Sequence, residues 1–425
     1  MILREASPPS EAPVIGCGPL MPPAPTQGRG LKQQVFDCVR AAGLIPRVDV
    51  ARELSISPGS VTALTAELIE AGLIHETDAH RRDGDGSRGR PPVALGVRGG
   101  AGFVAGIKLS DHRHTAVIVD FAGNRLGDAS IDSTSLQHNF DDIVDTAEAV
   151  LLQALENCGK DLKGIAAVGL GLPGFVDHET GMVPWSPVIR ERNVPMRQAF
   201  AERIERPVAI DNDANMVTLA ELWFGAGRSL PDFASVTIEH GVGMGLVLNH
   251  RLYRGSRGLG TELGHTKVQL DGALCRCGQR GCLEAYVADY ALVREASTAL
   301  NWGNRGMTAP HVMLESLYDH AKAGNDAARA IFHRAGRYLA LGLANVVNVF
   351  DPSLILLSGE RMRYDYLYAE EVLTEMSNLT LQTGRPLPKI EIHAWGDLLW
   401  AQGAAALALE FATGAAITAE AQTTS

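Results

Sequence analysis

Residues 264–284 read GHTKVQLDGALCRCGQRGCLE, and this stretch decides how the rest of the chain is understood. Its spacing is His265-x9-Cys275-x-Cys277-x4-Cys282. Three thiols and one imidazole so close in sequence supply the four N/S ligands that a tetrahedral zinc ion takes. Gly278 and Gly281 let the loop turn tightly between them. A closed Cys3His set leaves no coordination position for substrate, so the ion is expected to be structural. The competing reading is a reduced thiol cluster without metal. Cys17, Cys38 and Cys158 are scattered and read as ordinary thiols.

Working outward, the 425 residues exceed one ordinary domain, and two or three are expected. Hydrophobic residues make up 46% and charged residues 20%, a balance suited to sizeable buried cores. The 45 glycines favour an α/β architecture rich in turns over a helical bundle. No apolar run approaches the roughly 20 residues of a membrane span, and the first residues lack a secretory core, so a cytoplasmic location is expected. The net charge of −11 argues against a nucleic-acid partner for the chain as a whole. Residues 31–98, however, hold 9 Lys+Arg and 9 Asp+Glu, so that segment is neutral and the excess acid lies elsewhere.

Residues 1–30 carry seven prolines and few aliphatic clusters, a composition that predicts a flexible tail. From 31 to 76 the pattern is helical. LKQQVFDCVRAAG places Leu31, Val35, Cys38 and Val39 on one face, and VDVARELSIS gives a short second helix. SPGSVTALTAELIEAGLI opens with a Ser57 cap and Pro58, and stops at Gly72. A strand, a polar tip and a return strand follow, which makes a winged helix-turn-helix over 31–98. In that motif the early residues of the third helix reach base edges: Ser57, Gly59, Ser60, Thr62, Ala63 and Thr65. Val61 and Leu64 should pack inward. Arg88-Gly89-Arg90-Pro91 resembles the core of an AT-hook, so Arg88 and Arg90 are expected in a minor groove; the alternative is a stiff, solvated linker.

Beyond residue 98, strands and helices alternate. GFVAGIKL and HTAVIVDFAGN predict a hairpin, as does FASVTIEHGVGMGLVLNHRLYRG. Helices are expected near 139–158, from 214, over 326–349 and over about 398–412. This order predicts a two-lobed, actin-like and ribonuclease H-like α/β fold. The first lobe would comprise 99–213 and 398–425, the second 214–397.

The stretch 261–286, TELGHTKVQLDGALCRCGQRGCLEAY, closely resembles the signature of the ROK family of repressors, uncharacterised frames and sugar kinases. GLGLPGFVD (169–177), VAIDNDANMVTLAELWFGAG (208–227) and GVGMGLVLNHRLYRGSRG (241–258) match further family blocks. The resemblance implies a sugar site at Asn212, Asp213, Glu262, His265 and Glu284, with a backbone amide from Gly174. His265 would then serve both metal and sugar. The segment WSPVIRERNVPM, which begins at Trp185, departs from many relatives, and so leaves the particular sugar open.

The family's kinases open their catalytic domain with a DxGGT phosphate loop. Here the aligned segment is GIKLSDHRHTAVIVD: Lys108 stands for the Asp, Ser110 and Asp111 for the glycines, and His112 for the Thr. The second phosphate loop begins with His240 instead of Thr, and Ser358 stands where a glycine is common. The resemblance therefore implies a sugar-responsive DNA-binding regulator, a repressor without catalytic activity. Its partners would be operator DNA and a hexose, N-acetylhexosamine or pentose effector. A homodimer or homotetramer is expected, without membrane insertion. The competing readings are a sugar kinase carrying a DNA-binding domain, and a docking module for a sugar-transport protein.

Overall fold

The computed structural model describes residues 16–20, 30–78, 93–256, 258–300, 310–359, 370–382, 384, 386–393, 396 and 398–423. The N-terminal part comprises α1 (Leu31–Ala42), β1 (Leu44–Pro46), α2 (Arg47–Glu53), α3 (Pro58–Glu70), β2 (Ile74–Asp78) and β3 (Val93–Val97). The strands form one antiparallel sheet in the order β1-β3-β2. Ser57 caps α3 as its sequence implies, its hydroxyl accepting the Ser60 N–H at 3.1 Å, with Pro58 in the first turn. Val35, Phe36, Val39, Val61, Leu68, Ile74 and Leu95 are almost wholly buried and make the core of this part.

Next come β4 (Phe103–Lys108), β5 (Arg113–Asp120), β6 (Arg125–Asp132), α4 (Phe140–Asn157), β7 (Ile165–Leu172), β8 (Phe175–Asp177), β9 (Met182–Trp185), α5 (Met196–Ile204) and β10 (Val208–Asn212). Five of the strands form a sheet in the order β10-β7-β4-β5-β6, in which β4, β5 and β6 are an antiparallel meander and β7 and β10 join in parallel. After α6 (Asp213–Phe224) the plan repeats. The elements are β11 (Phe233–Ile238), β12 (Val242–Leu248), β13 (Arg251–Tyr253), α7 (Glu284–Val287), α8 (Asp289–Ala299), α9 (Pro310–Lys322), α10 (Asp326–Phe350), β14 (Leu354–Ser358), α11 (Glu370–Leu379), β15 (Lys389–His393) and α12 (Leu398–Thr423). Their sheet runs β13-β12-β11-β14-β15, again a meander with two parallel strands added on one side. Two α/β halves of matching topology are the fold that the strand and helix order predicts.

Helices α12 and α6 lie between the two sheets, α12 against β4 and β7, α6 against β12 and against α12. The approach of α12 to its sheet is close: a Cβ on Gly169 would lie 1.9 Å from the Ala404 carbonyl oxygen, so only glycine fits there. Helix α6 is buried from Ala214 to Trp223, as expected of a helix enclosed on all sides.

Two expectations change. The last helix runs eleven residues past 412, to Thr423, and passes through Gly414. Glycine in a helix interior costs about 1 kcal/mol; beside it Thr413 and Ile417 are buried. The flexible-tail reading of 1–30 also fails for 16–20. Cys17 is 1% exposed, and the backbone N–H groups of Cys17, Gly18 and Leu20 donate to the carbonyls of Arg40, Trp223 and Arg228 at 3.0, 2.8 and 2.8 Å. Burial pushes the Cys17 thiol up to about 11. The remainder of that tail lies outside the described residues.

Candidate functional site

The loop 264–283 folds so that the ligand atoms of His265, Cys275, Cys277 and Cys282 all lie within 4.8 Å of one another. The Cys277 and Cys282 sulfurs are 3.7 Å apart, and Cys275 Sγ is 3.8 Å from His265 Nδ1. A tetrahedral ion with bonds of ~2.3 Å to sulfur would hold its sulfurs about 3.8 Å apart, so the donor set fits one ion. Gly281 makes the turn possible: its φ is +75°, and a Cβ there would meet the Gln269 carbonyl oxygen at 1.7 Å. Lys267 Nζ lies 2.9 Å from Cys282 Sγ, a cation placed to stabilise a thiolate.

His265 turns its other nitrogen away from the sulfurs. Nε2 lies 4.0 Å from Glu262 Oε2, on the wall of a cavity of about 300 Å³. Gly174, Asn212, Asp213, Glu262, His265 and Glu284 all line this one cavity, although they come from four separate segments. The β7–β8 turn brings Gly174, the β10–α6 junction brings Asn212 and Asp213, and the metal-ligating loop with the start of α7 brings the rest. Asn212 also caps α6, its Oδ1 accepting the Asn215 N–H at 2.8 Å. Capping and cavity-lining are therefore compatible, because the cap occupies only the side-chain oxygen and leaves the amide NH2 to face elsewhere. Behind it, buried Asp211 takes Arg254 Nε at 2.6 Å and Asn215 Nδ2 at 2.7 Å, which fixes the end of β10.

The carboxyl groups share the cavity at a cost. Burial, then the charges of Asp213 and Glu284, raise Glu262 to about 7. Burial raises Asp213 too, against the pull of the Lys108 ammonium. Such acceptors suit a ligand that offers several hydroxyl donors. Phe175, Trp185 and Trp400 give the cavity apolar walls, and the Phe175 ring stands 6.1 Å from that of His265. Trp185 was visible in the variant segment after residue 177, but Trp400 had no sequence signal, since only packing of α12 brings it here.

Lys108 also lines the cavity, 8% exposed, with Nζ 3.9 Å from the centroid of the Trp400 ring. Asp111 and His112 on the β4–β5 loop meet His240 on the β11–β12 turn. Ser358 is wholly buried, its hydroxyl donating to the His393 carbonyl at 3.3 Å.

In the N-terminal part, Ser57, Gly59, Thr62 and Ala63 lie on the exposed face of α3 and Ser60 is half-exposed. The expectation for Thr65 does not hold. Its side chain is fully buried, and Oγ1 accepts from Arg47 Nε at 3.1 Å. One turn beyond Val61, it falls on the inward stripe of the helix. Val61 is buried and Leu64 packs against the core, as their spacing implies. Arg88 and Arg90 lie outside the described residues.

This part does not stand apart from the rest. Arg40 of α1 is 3% exposed, and its guanidinium lies 4.5 Å from the centroid of the Trp223 ring at the far end of α6. It also donates to Thr413 Oγ1 of α12 at 3.3 Å and to Asp37 at 2.7 Å. Arg228 Nη2 donates to the Ala41 carbonyl at 2.6 Å and Nε to that of Gly18 at 2.9 Å. The buried cluster of the N-terminal part runs on without a break into Leu219, Leu222, Trp223 and Leu409.

Residues 104–411 match the ROK family. The xylose repressor of Caldicellulosiruptor bescii is 26% identical over 347 residues, 77% of this chain and 82% of its own. A ROK family transcriptional regulator, a homologue of the E. coli MLC protein, superposes with a TM-score of 0.75 at 25% identity, over 91% of this chain and 97% of its own. A ROK hexokinase of Thermus thermophilus superposes with a TM-score of 0.62 at 28% identity, over 73% of this chain and 99% of its own. The repressor and the regulator are thus matched over more of this chain than the kinase. Among the described residues no helix is long and apolar enough to cross a membrane.

Proposed function

The chain belongs to the ROK family, and from that premise we propose that it is a sugar-responsive, DNA-binding transcriptional repressor of carbohydrate uptake or metabolism genes. One observation carries the reading: α6, 12 residues from Asp213 to Phe224, begins at the cavity, capped by Asn212, and carries in its last turn the Trp223 that packs on Arg40. At ~1.5 Å per residue the helix spans about 18 Å, so a single rigid element touches both effector site and DNA-binding part.

The effector is a hexose, an N-acetylhexosamine or a pentose. Asp213, Glu262 and Glu284 accept hydrogen bonds from its hydroxyls, the Asn212 amide and the Gly174 N–H donate, and His265 offers Nε2. Zinc, held by His265, Cys275, Cys277 and Cys282, ties the loop together and fixes the His265 tautomer, so that Nε2 faces the sugar. Operator DNA meets Ser57, Gly59, Ser60, Thr62 and Ala63 of α3, with Arg88 and Arg90 in the adjacent minor groove. The chain acts as a homodimer or homotetramer with residues 31–98 as the DNA-binding domain. A sugar that closes the cavity moves α6, and with it the spacing of the paired arms. A coupling of about 1–3 kcal/mol is the usual size of such an effect.

Phosphoryl transfer is disfavoured by the residues at the cleft end. It depends on positioning phosphate and neutralising its charge. Here Asp111 adds a carboxylate, and the side chains of Asp111, His112 and His240 stand where phosphate would need open backbone amides.

Fluorescence anisotropy of the chain's own upstream DNA, titrated against a panel of sugars, tests the reading. One sugar should weaken binding about 5- to 150-fold, and Asp213→Asn should abolish that response. Sugar-dependent ATP turnover in a coupled assay would replace the repressor with the kinase. Unchanged DNA affinity across the panel would instead favour docking to a sugar-transport protein.

A further inference from the structure

A second group of potential ligands lies apart from the Cys3His loop. His112 Nε2 is 2.9 Å from His240 Nε2, and Asp111 Oδ2 is 3.4 Å from His240 Nε2 and 3.8 Å from His112 Nε2. Asp111 and His112 belong to the β4–β5 loop of the first sheet, His240 to the β11–β12 turn of the second. Both loops are fastened from behind. The Ser133 N–H donates to the His112 carbonyl at 2.7 Å, and the Asp289 N–H donates to the Glu239 carbonyl at 3.2 Å.

We propose that Asp111, His112 and His240 form a second metal site, for a divalent transition ion, that bridges the two sheets at the end of the cleft. With bonds of ~2.1 Å, such as zinc makes to imidazole and carboxylate, the three separations correspond to angles of about 90°, 110° and 130° at a common ion. Two imidazoles and one carboxylate select zinc, nickel, copper or cobalt over magnesium or calcium, which prefer oxygen alone. The side chains are 24–38% exposed, so an ion can enter from solvent and keep water in its remaining positions. A protonated imidazole paired with Asp111, sharing an N–H with the second ring, is the metal-free arrangement with these distances, and metal uptake separates the two.

An ion here would do something the Cys3His ion cannot. That ion is held within one loop, whereas this one joins loops from opposite sides of the cavity, and so fixes how far the cleft opens. It also places a cation beside the carboxylates of the cavity.

Cobalt(II) titration of the full-length, tag-free, metal-stripped protein tests this. Cobalt on thiolates gives a strong sulfur-to-metal absorption, and cobalt on two imidazoles and a carboxylate gives none. Wild type should bind two equivalents, of which only one carries the thiolate band. His240→Ala and His112→Ala should each weaken the band-silent equivalent at least tenfold while the thiolate equivalent is retained. That retained band shows that the variants are folded. Cys277→Ser should do the reverse. A wild type that takes up only the thiolate equivalent overturns the proposal, as does a second equivalent that survives in the His112→Ala, His240→Ala double variant. Both measurements are independent of sugar and DNA, so failure here leaves the repressor reading standing.

Discussion

The Arg40 guanidinium packs on the ring of Trp223, 4.5 Å from its centroid, and this contact joins α1 of the N-terminal part to the helix that opens at the cavity. A cation over an indole contributes about 0.5–2 kcal/mol, more when desolvated, and Arg40 is 3% exposed. The contact is therefore strong enough to carry a coupling of the expected size.

Arg40→Met keeps much of the apolar volume and removes the charge. The sugar-induced change in operator affinity should fall to less than about twofold from the 5- to 150-fold of an ordinary coupling, while sugar affinity, read by calorimetry, stays within about threefold. Retention of the full DNA response by this variant would exclude α6 as the link.

Cys277→Ser removes one sulfur from the Cys3His set. The expected outcome is loss of one bound metal equivalent and a sugar response weakened at least tenfold, because the loop that places His265 and Glu262 loosens. DNA affinity without sugar should change less than about twofold, since the N-terminal part packs on α6 and α12 and not on this loop. Equal loss of both properties counts against the proposed role of the loop.

His393 supplies a pH dependence. Its Nδ1 is 2.7 Å from Glu221 Oε1, which is wholly buried, and its Nε2 is 3.2 Å from Glu391, itself paired with Lys389 at 2.5 Å. Burial lowers the pKa of His393, but the hydrogen bonds and charges of Glu221 and Glu391 outweigh it, and the net shift is upward. A raised histidine pKa contributes stability that is fully present below about pH 6.5, the unfolded value, and is lost as pH rises through the folded value. A charge-assisted bond of this kind contributes about 1.5–3 kcal/mol. Urea midpoints of wild type and His393→Gln should therefore differ most near pH 6 and converge at higher pH. A gap that grows with pH would contradict the assignment.

Thr65 is a structural residue. Thr65→Val removes the acceptor for Arg47 Nε and should cost about 1–2 kcal/mol of stability. Operator preference, measured by competition with base-substituted DNA, should be unchanged. Thr62→Val, on the exposed face of the same helix, should show the opposite pattern.

Much of this was legible in the chain itself. Ser57-Pro58 announces the start of α3, and GFVAGIKL with HTAVIVDFAGN announces the β4–β5 hairpin, because caps and short apolar runs bounded by turn residues are local signals. Strands β1, β8 and β9, each three or four residues long, carried too short a pattern to be read. Cys17 lay in a proline-rich stretch whose composition said nothing of the groove between α1 and α6 that receives it.

The Cys3His set was determined by sequence alone, since four ligands within 18 residues can hardly avoid one another. The tertiary structure added which way His265 faces: Nδ1 toward the sulfurs and Nε2 toward the cavity. It gathered Gly174, Asn212 and Glu284, which the family resemblance had already grouped, around one cavity, and it alone set Trp400 and Lys108 in the cavity wall, turned Thr65 inward and laid Arg40 on Trp223. The physical reason is range. Ligand spacing, caps and hairpins are settled between near neighbours in the chain, whereas a cavity wall or a helix contact depends on how whole sheets and helices pack, which no short stretch of residues encodes.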